Sequence, residues 1–339
     1  MTDTRRLASS VALVAALFAI SGCSAGDVRP ADPPPAQASA DPTTPSPSDS
    51  ASVAPEPVEP QEPEVAAVDP VRAGDLDRAI AVAAVRHLAG VVGPREATGP
   101  AYREAAGWVS RRMERLGYDV VRQRVDVPAG ESWGVPVPAG RSVNVVATPP
   151  GLEPGDPHLV VGAHLDTVPQ APGAEDNASG VGVLLTVAEA VAQRRTRLPV
   201  VLVAFGAEEP RGPSDADHHY GSRRYVALMG PRERRALRAM VSLDRVGVGD
   251  RVPVGSATAS DPVQRSLLAA ARRAGVPAVA DPEQRSSDHW SFVRDELPAA
   301  RLGSTPYVGY HSAADVPEVV SAEQLGRVGR LVLEWLAPR

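Results

Sequence analysis

A three-layer α/β/α sandwich around a mainly parallel sheet is the fold class this sequence predicts, and three observations point to it. Short, almost wholly apolar runs recur in the second half of the chain, as in strands buried on both faces. Amphipathic stretches at helical spacing alternate with them. Acids and histidines stand just past the carboxyl ends of several runs, where open α/β sheets collect their ligands.

Taken in order, Asp75 to Leu88 and Ala101 to Leu116 carry apolar residues at helical spacing, and Gly117 stops the second. Val120 to Val127 and Ser142 to Ala147 alternate as strands. Leu159 to Ala163 is a short apolar run, Val181 to Ala192 a helix, and Pro199 to Phe205 a continuous apolar run suited to a central strand. Met240 to Leu243 is another such run. Pro262 to Ala274 and Ala322 to Leu336 read as amphipathic helices, with a strand at Ala299 to Leu302 between them. No period of repetition is present.

The chain has 339 residues and 43% hydrophobic content, enough for a substantial core. Its charge is unevenly placed. Nine acids against Arg29 make residues 24–70 net −8, and residues 1–23 are net +1, so of the −6 overall the part from Val71 onward carries only +1. That near-neutral remainder excludes the one-signed basic patch of a nucleic-acid-binding protein.

Arg5 and Arg6 precede an apolar run from Val11 to Ile20 that is too short for an ordinary membrane span, closed by Ile20-Ser21-Gly22-Cys23. This layout predicts export, and the last four residues resemble the lipobox of bacterial lipoproteins. The resemblance implies cleavage before Cys23, a lipid on its thiol, and anchorage at the outer face of the cell membrane. Cys23 is the only cysteine, so the folded part has no internal disulfide. Ser24 to Pro70 is rich in Pro, Ala, Ser and acid and reads as an extended, disordered tether. The divisions expected are therefore a signal over 1–23, a tether over 24–70 and a folded domain over 71–339.

The residues that carry chemistry lie at the strand ends. The apolar run through Ala163 leads into His164-Leu165-Asp166, where residues two apart face the same side of an extended chain. That lets Asp166 reach His164, as carboxylates behind metal-bound imidazoles do. Asp176 stands in Gly173-Ala174-Glu175-Asp176-Asn177-Ala178-Ser179-Gly180, at a helix entrance where a carboxylate can bridge two cations. Glu208 and Glu209 are adjacent acids at a strand end, as a metal ligand beside a general base would be. Asp244 ends another run, and His311 stands before the last helix with Asp315 following. Two His and three carboxylates suit zinc. His87 and His158 read as ordinary.

The strings GAHLDTV, EDNASGVG, FGAEE, SLDRVG, SSDHWSF and YHSAADVPEVV, in this order from about Gly93 onward, resemble the aminopeptidase S and aminopeptidase Y family of di-zinc exopeptidases. The resemblance implies two zinc ions per chain. Asp176 would bridge them, His164 and Asp244 completing one site and Glu209 and His311 the other. It further implies Glu208 as general base toward a water held by both metals, Asp166 as the carboxylate behind His164, and Tyr310 as an aid to the substrate carbonyl. Peptides with a free N-terminus are the implied substrates. His289, in the SSDHWSF string, falls outside the metal ligands. Pro210 to Tyr220, with His218 and His219, is longer than the turn typical of that family and reads as a solvated loop, gating or an extra cation being the alternatives. Two other functions use the same fold: a one-metal glutaminyl cyclase, and a peptide-binding lipoprotein without catalysis.

Overall fold

The computed structural model describes residues 68–339. The export signal with Cys23 and all but the last three residues of the expected tether lie outside the described residues. The fold takes hold at Asp69, slightly before the expected start: the Asp69 carbonyl accepts from Arg195 N at 2.8 Å, and Val71 N donates to Arg195 O at 3.0 Å. Among the described residues, no helix is long and apolar enough to cross a membrane.

The strands are β1 (Asp119–Val127), β2 (Gly130–Ser132), β3 (Val135–Val137), β4 (Gly140–Thr148), β5 (His158–His164), β6 (Val200–Phe205), β7 (Leu237–Leu243), β8 (Val252–Gly255), β9 (Ala278–Asp281) and β10 (Ala299–Leu302). The helices are α1 (Arg78–Val85), α2 (Pro100–Arg115), α3 (Ser179–Ala192), α4 (Tyr220–Leu228), α5 (Pro231–Ala236), α6 (Pro262–Arg273), α7 (His289–Arg294) and α8 (Ala322–Leu336). An eight-stranded sheet runs β1-β4-β6-β5-β7-β10-β8-β9. Its centre, β6-β5-β7-β10, is parallel, while β1 and β4 join antiparallel at one edge and β8 turns antiparallel to β10.

Alternation along the central strands builds two cores. Val160, Val201, Val203, Phe205, Met240 and Ala299 face α4 and α7. Val161, Ala163, Leu202, Ala204, Val241, Leu243 and Leu302 face the layer made by α1, α2, α3, α6 and α8. The continuous apolar runs are thus strands covered on both sides, as a parallel centre requires.

The structure departs from the sequence reading where elements are short or lack an apolar run. The β2–β3 hairpin has three residues per strand, β9 is largely exposed at the sheet edge, and α5 and α7 have six residues each. The first helix is also shorter than its apolar spacing predicts. Asp77 caps α1, its Oδ1 accepting from Ala79 N at 2.9 Å, and a wider π turn carries the chain from Arg86 to Val92, where Gly93 ends it with φ +78°.

Arg95 staples this turn to the loop after β5. Its guanidinium is fully buried and donates to the carbonyls of Leu88, Gly93, Leu165, Pro172 and Gly173 at 2.7–3.0 Å. Arg95→Met keeps the volume and removes every donor, leaving several carbonyls buried and unpaired. A loss of more than about 3 kcal/mol is expected, read as a lower urea midpoint at constant m-value.

Candidate metal centre

Three adjacent parallel strands bring their carboxyl ends to one edge. His164 closes β5, Asp244 follows β7, and Glu208 and Glu209 follow β6 after Gly206 and Ala207. Asp176 arrives from a wide turn at the foot of α3, where it and Asn177 leave helical dihedrals. His311 comes from the loop between β10 and α8. Ala207, Arg245 and His311 all adopt left-handed φ, at +56°, +55° and +52°, a local strain that surrounding packing must hold.

The Asp176 carboxylate is divided between the two imidazoles. Its Oδ1 lies 3.1 Å from His164 Nε2 and its Oδ2 3.0 Å from His311 Nε2. Asp244 Oδ1 is 3.8 Å from His164 Nε2, and Glu209 Oε2 is 3.5 Å from His311 Nε2. Potential ligand atoms of His164, Asp176 and Glu209 all fall within 4.8 Å of one another, and so do those of His164, Glu208 and Asp244. The residues singled out in the sequence are therefore brought together, with Glu208 beside the His164 and Asp244 side of the cluster.

Divalent metal ions fit this donor set. Glu208, Glu209, Asp176 and Asp244 are buried within reach of one another, where carboxylates repel and lack solvent. Burial, then the Asp176 and Glu208 charges, push the Glu209 carboxyl well above the usual range, and its Oε1 is buried without a hydrogen-bond partner. Burial also raises Asp244, but Arg301 and His164 outweigh it and hold that carboxyl low. Buried imidazole and carboxylate donors facing a common point match zinc in ligand type.

Around the cluster, two carboxylates clamp the backbone that carries the ligands. Asp166 accepts from Glu208 N and Glu209 N, both at 3.1 Å, and Asp315 accepts from Glu175 N at 2.8 Å and Asp176 N at 3.1 Å. Asp166 does lie behind His164, but its Oδ1 is 3.7 Å from Nδ1, and the imidazole is nearer the Asp166 carbonyl at 3.2 Å. Its carboxylate is turned toward the amides of the Glu pair. Asn177 links the foot of α3 to the end of β7, donating to Leu243 O at 2.8 Å and accepting from Arg245 N at 3.2 Å. A Cβ on Gly180 would strike that Leu243 carbonyl, so only glycine lets helix and strand end approach.

Further residues reach the cluster that the sequence reading did not assign. His219 is buried with left-handed φ (+58°), and its Nε2 lies 3.2 Å from Glu208 Oε1. The loop carrying it is not simply solvated. Asp215 accepts from Trp290 Nε1 at 3.1 Å and Arg294 Nη1 at 2.8 Å, while Arg211 pairs with Glu96 and donates to Pro138 O. The unusual length and paired histidines of the segment were its only sequence signal. Trp133, at the tip of the β2–β3 hairpin, sets its ring edge-on to His311 at 4.4 Å. Asp288 is fully buried, both oxygens lack partners, and burial with the Glu208 charge pushes its carboxyl up to about 7. Neighbouring His289 is buried too, its Nε2 2.9 Å from Gln284 O, away from the metal ligands. Tyr310 stacks on His311 at 3.7 Å and on the Arg245 guanidinium at 4.4 Å.

The clustered acids and histidines, with Trp133, His219, Arg245 and Tyr310, line a cavity of about 90 Å³. Larger cavities of about 480 and 490 Å³ exist, one against α1 and α8 and one beside Arg197 and Trp335, but neither contains any of the clustered ligands.

Residues 144–336 match the family described as peptidase family M28. The uncharacterized protein YfbL of Escherichia coli is 34% identical over 131 residues, covering 36% of this chain and 38% of its own length. Aminopeptidase YwaD of Bacillus subtilis is 30% identical over 185 residues, covering 51% of this chain and 39% of its own. The chain thus spans under two fifths of these relatives. The zinc aminopeptidase BSAP from Bacillus subtilis shares the fold with a TM-score of 0.67 at 19% identity, over 77% of this chain and 94% of that one. A glutaminyl cyclase from Bacteroides thetaiotaomicron shares it with a TM-score of 0.66 at 20% identity, over 77% and 97%.

Asp166→Ala frees the amides of the Glu pair and removes the charge behind His164. Zinc affinity is expected to fall by about tenfold to a hundredfold, measured by competition with a chromophoric chelator.

Proposed function

Because the chain belongs to peptidase family M28, we propose that it is a two-zinc aminopeptidase that removes N-terminal residues from peptides. The observation that carries this reading is the single Asp176 carboxylate shared between His164 and His311, one oxygen toward each. His164 and Asp244 would hold one metal ion and Glu209 and His311 the other, with Asp176 shared between them.

Zinc held by these residues would supply Lewis acidity toward a bound water and the substrate carbonyl. Glu208, at the cavity wall, takes the proton from the attacking water and returns it to the departing amine. His219, 3.2 Å away, donates to the outer face of that carboxylate and orients it. Tyr310 lines the same cavity with its phenol kept protonated by burial and by Asp176, so that it serves as a donor toward the carbonyl oxygen. The small, polar cavity suits the end of a peptide rather than its interior.

The glutaminyl cyclase reading draws on one neighbour of the same fold. His164 together with Asp176 and Asp244 supplies a second metal position, which supports the peptidase instead. Two zinc ions per chain are expected by elemental analysis, and one would favour the cyclase. Glu208→Gln should retain both zinc ions while kcat on aminoacyl 4-nitroanilides falls by about 10²- to 10⁴-fold; undiminished turnover would remove Glu208 from the chemistry. The proposal extends to location: Cys23 carries a lipid and residues 24–70 tether the enzyme outside the cell, so Cys23→Ala should move activity from the membrane fraction to the soluble one.

A further inference from the structure

The cavity that holds the metal ligands contains a cation whose donors are unused. Of the other arginines sunk in this part of the molecule, Arg211 pairs with Glu96 and donates to Pro138 O, and two more have both Nη groups engaged, only Arg301 Nε lacking a partner. Arg95 donates to five backbone carbonyls. Arg301 reaches Ser286, Ser304 and the Asp244 carboxylate. Arg245 differs. Its backbone N–H is fixed by Asn177 Oδ1 at 3.2 Å, and its φ of +55° lies in the left-handed region. Its guanidinium lies over the Tyr310 ring at 4.4 Å and is mostly buried, with the side chain 15% exposed. Its nearest acid is Asp244, with Nε at 3.7 Å from Oδ1, beyond hydrogen-bonding distance. Among the described residues no acceptor takes a hydrogen bond from this guanidinium, although it lines the cavity beside Glu209, Asp176 and His311.

A guanidinium carries five N–H donors in a plane and keeps its charge at any working pH. Once Asp244 serves a metal, its charge is shared, and Arg245 is left as a partly desolvated cation with an open fork. The group that satisfies such a fork best is a second carboxylate, bound through paired N–H donors. We propose that Arg245 is a specificity-determining residue that binds a substrate carboxylate at the metal-site cavity. This rests on the aminopeptidase reading for its reaction, but not for its binding. Because Arg245 adjoins Asp244, the carboxylate it holds lies within about one residue of the reacting carbonyl. It is therefore either the side chain of an N-terminal Asp or Glu, or the terminal carboxylate of a dipeptide. A simple cleft for apolar N-termini has no use for a charge here, since an apolar side chain leaves the fork unpaired.

The test compares substrates within one protein, so that the fraction folded cancels. For the zinc-loaded full chain, kcat/KM is measured on Glu against Gln 4-nitroanilide, and on Leu-Gly against Leu-Gly-amide. One of the two ratios is expected to exceed about tenfold. A high first ratio identifies the side-chain carboxylate, and a high second ratio the terminal one. Arg245→Gln should return that ratio to about one, and Arg245→Lys should keep part of it. Ratios near one in the wild type, or a high ratio that Arg245→Gln leaves intact, would overturn the proposal. If no substrate is cleaved, the peptidase reading fails on its own, and calorimetry then decides the binding. Tighter binding of L-glutamate than L-glutamine, or of Leu-Gly than its amide, lost in Arg245→Gln, sustains the proposal, whereas equal binding refutes it.

Discussion

The repulsion among buried carboxylates at the ends of β5, β6 and β7 is the constraint on which the rest of this molecule turns. Glu208 and Asp244 offer oxygens within 4.8 Å of one another, as do Asp176 and Glu209, all four almost wholly out of solvent and grouped around His164. A folded chain tolerates such a group only if cations and hydrogen-bond donors are held against it. His164 and His311 supply part of that, Arg301 and Arg245 approach Asp244, and divalent metal completes it.

Much of the surrounding architecture holds the backbone of these acids in place. Asp166 and Asp315 each accept two successive amide N–H groups, one pair leading into the Glu208-Glu209 dipeptide and the other into Asp176. Arg95 does the converse, gathering five carbonyls from the turn that follows α1 and the loop that follows β5. Left-handed φ at Ala207, Arg245 and His311 is local strain at or within two residues of the clustered donors, which the surrounding packing holds. The clustered acids are thus positioned by strand ends and by second carboxylates, which are stiffer supports than free loops.

The segment from Pro210 to Tyr220 shows how a loop can be recruited to such a site. Its charged residues are anchored on both sides, through Asp215 to α7 and through Arg211 to Glu96. This anchored loop carries His219, whose Nε2 lies 3.2 Å from Glu208 Oε1. Polar composition alone would assign the segment to solvent. Its anchors are partners far away in the chain, and no local pattern reveals them.

Legibility in the sequence followed the physics of each feature. The strand at Ala299–Leu302 and the helix at Ala322–Leu336 are legible with their observed limits, the helix because its apolar stripe marks the buried face directly. The β2–β3 hairpin, β9 and α7 are not, since three- to six-residue elements at an edge or over a loop leave no periodicity to read. The five proposed ligands and Glu208 are visible as acids and histidines at strand ends or, for Asp176, at a helix entrance, and their grouping into one site comes from the resemblance of six strings in family order. What Arg245, His219, Trp133 and Asp288 do is not visible, because an arginine or a tryptophan looks the same in sequence whether its partner is solvent or a cavity. By itself the sequence determined the layered fold and the identity of the clustered donors, since burial and residue chemistry are local properties. Only the tertiary structure decided which atoms face one another, that Asp166 serves the Glu pair's amides and that one arginine's fork opens into the cavity, since these depend on distances between segments that the order of residues does not encode.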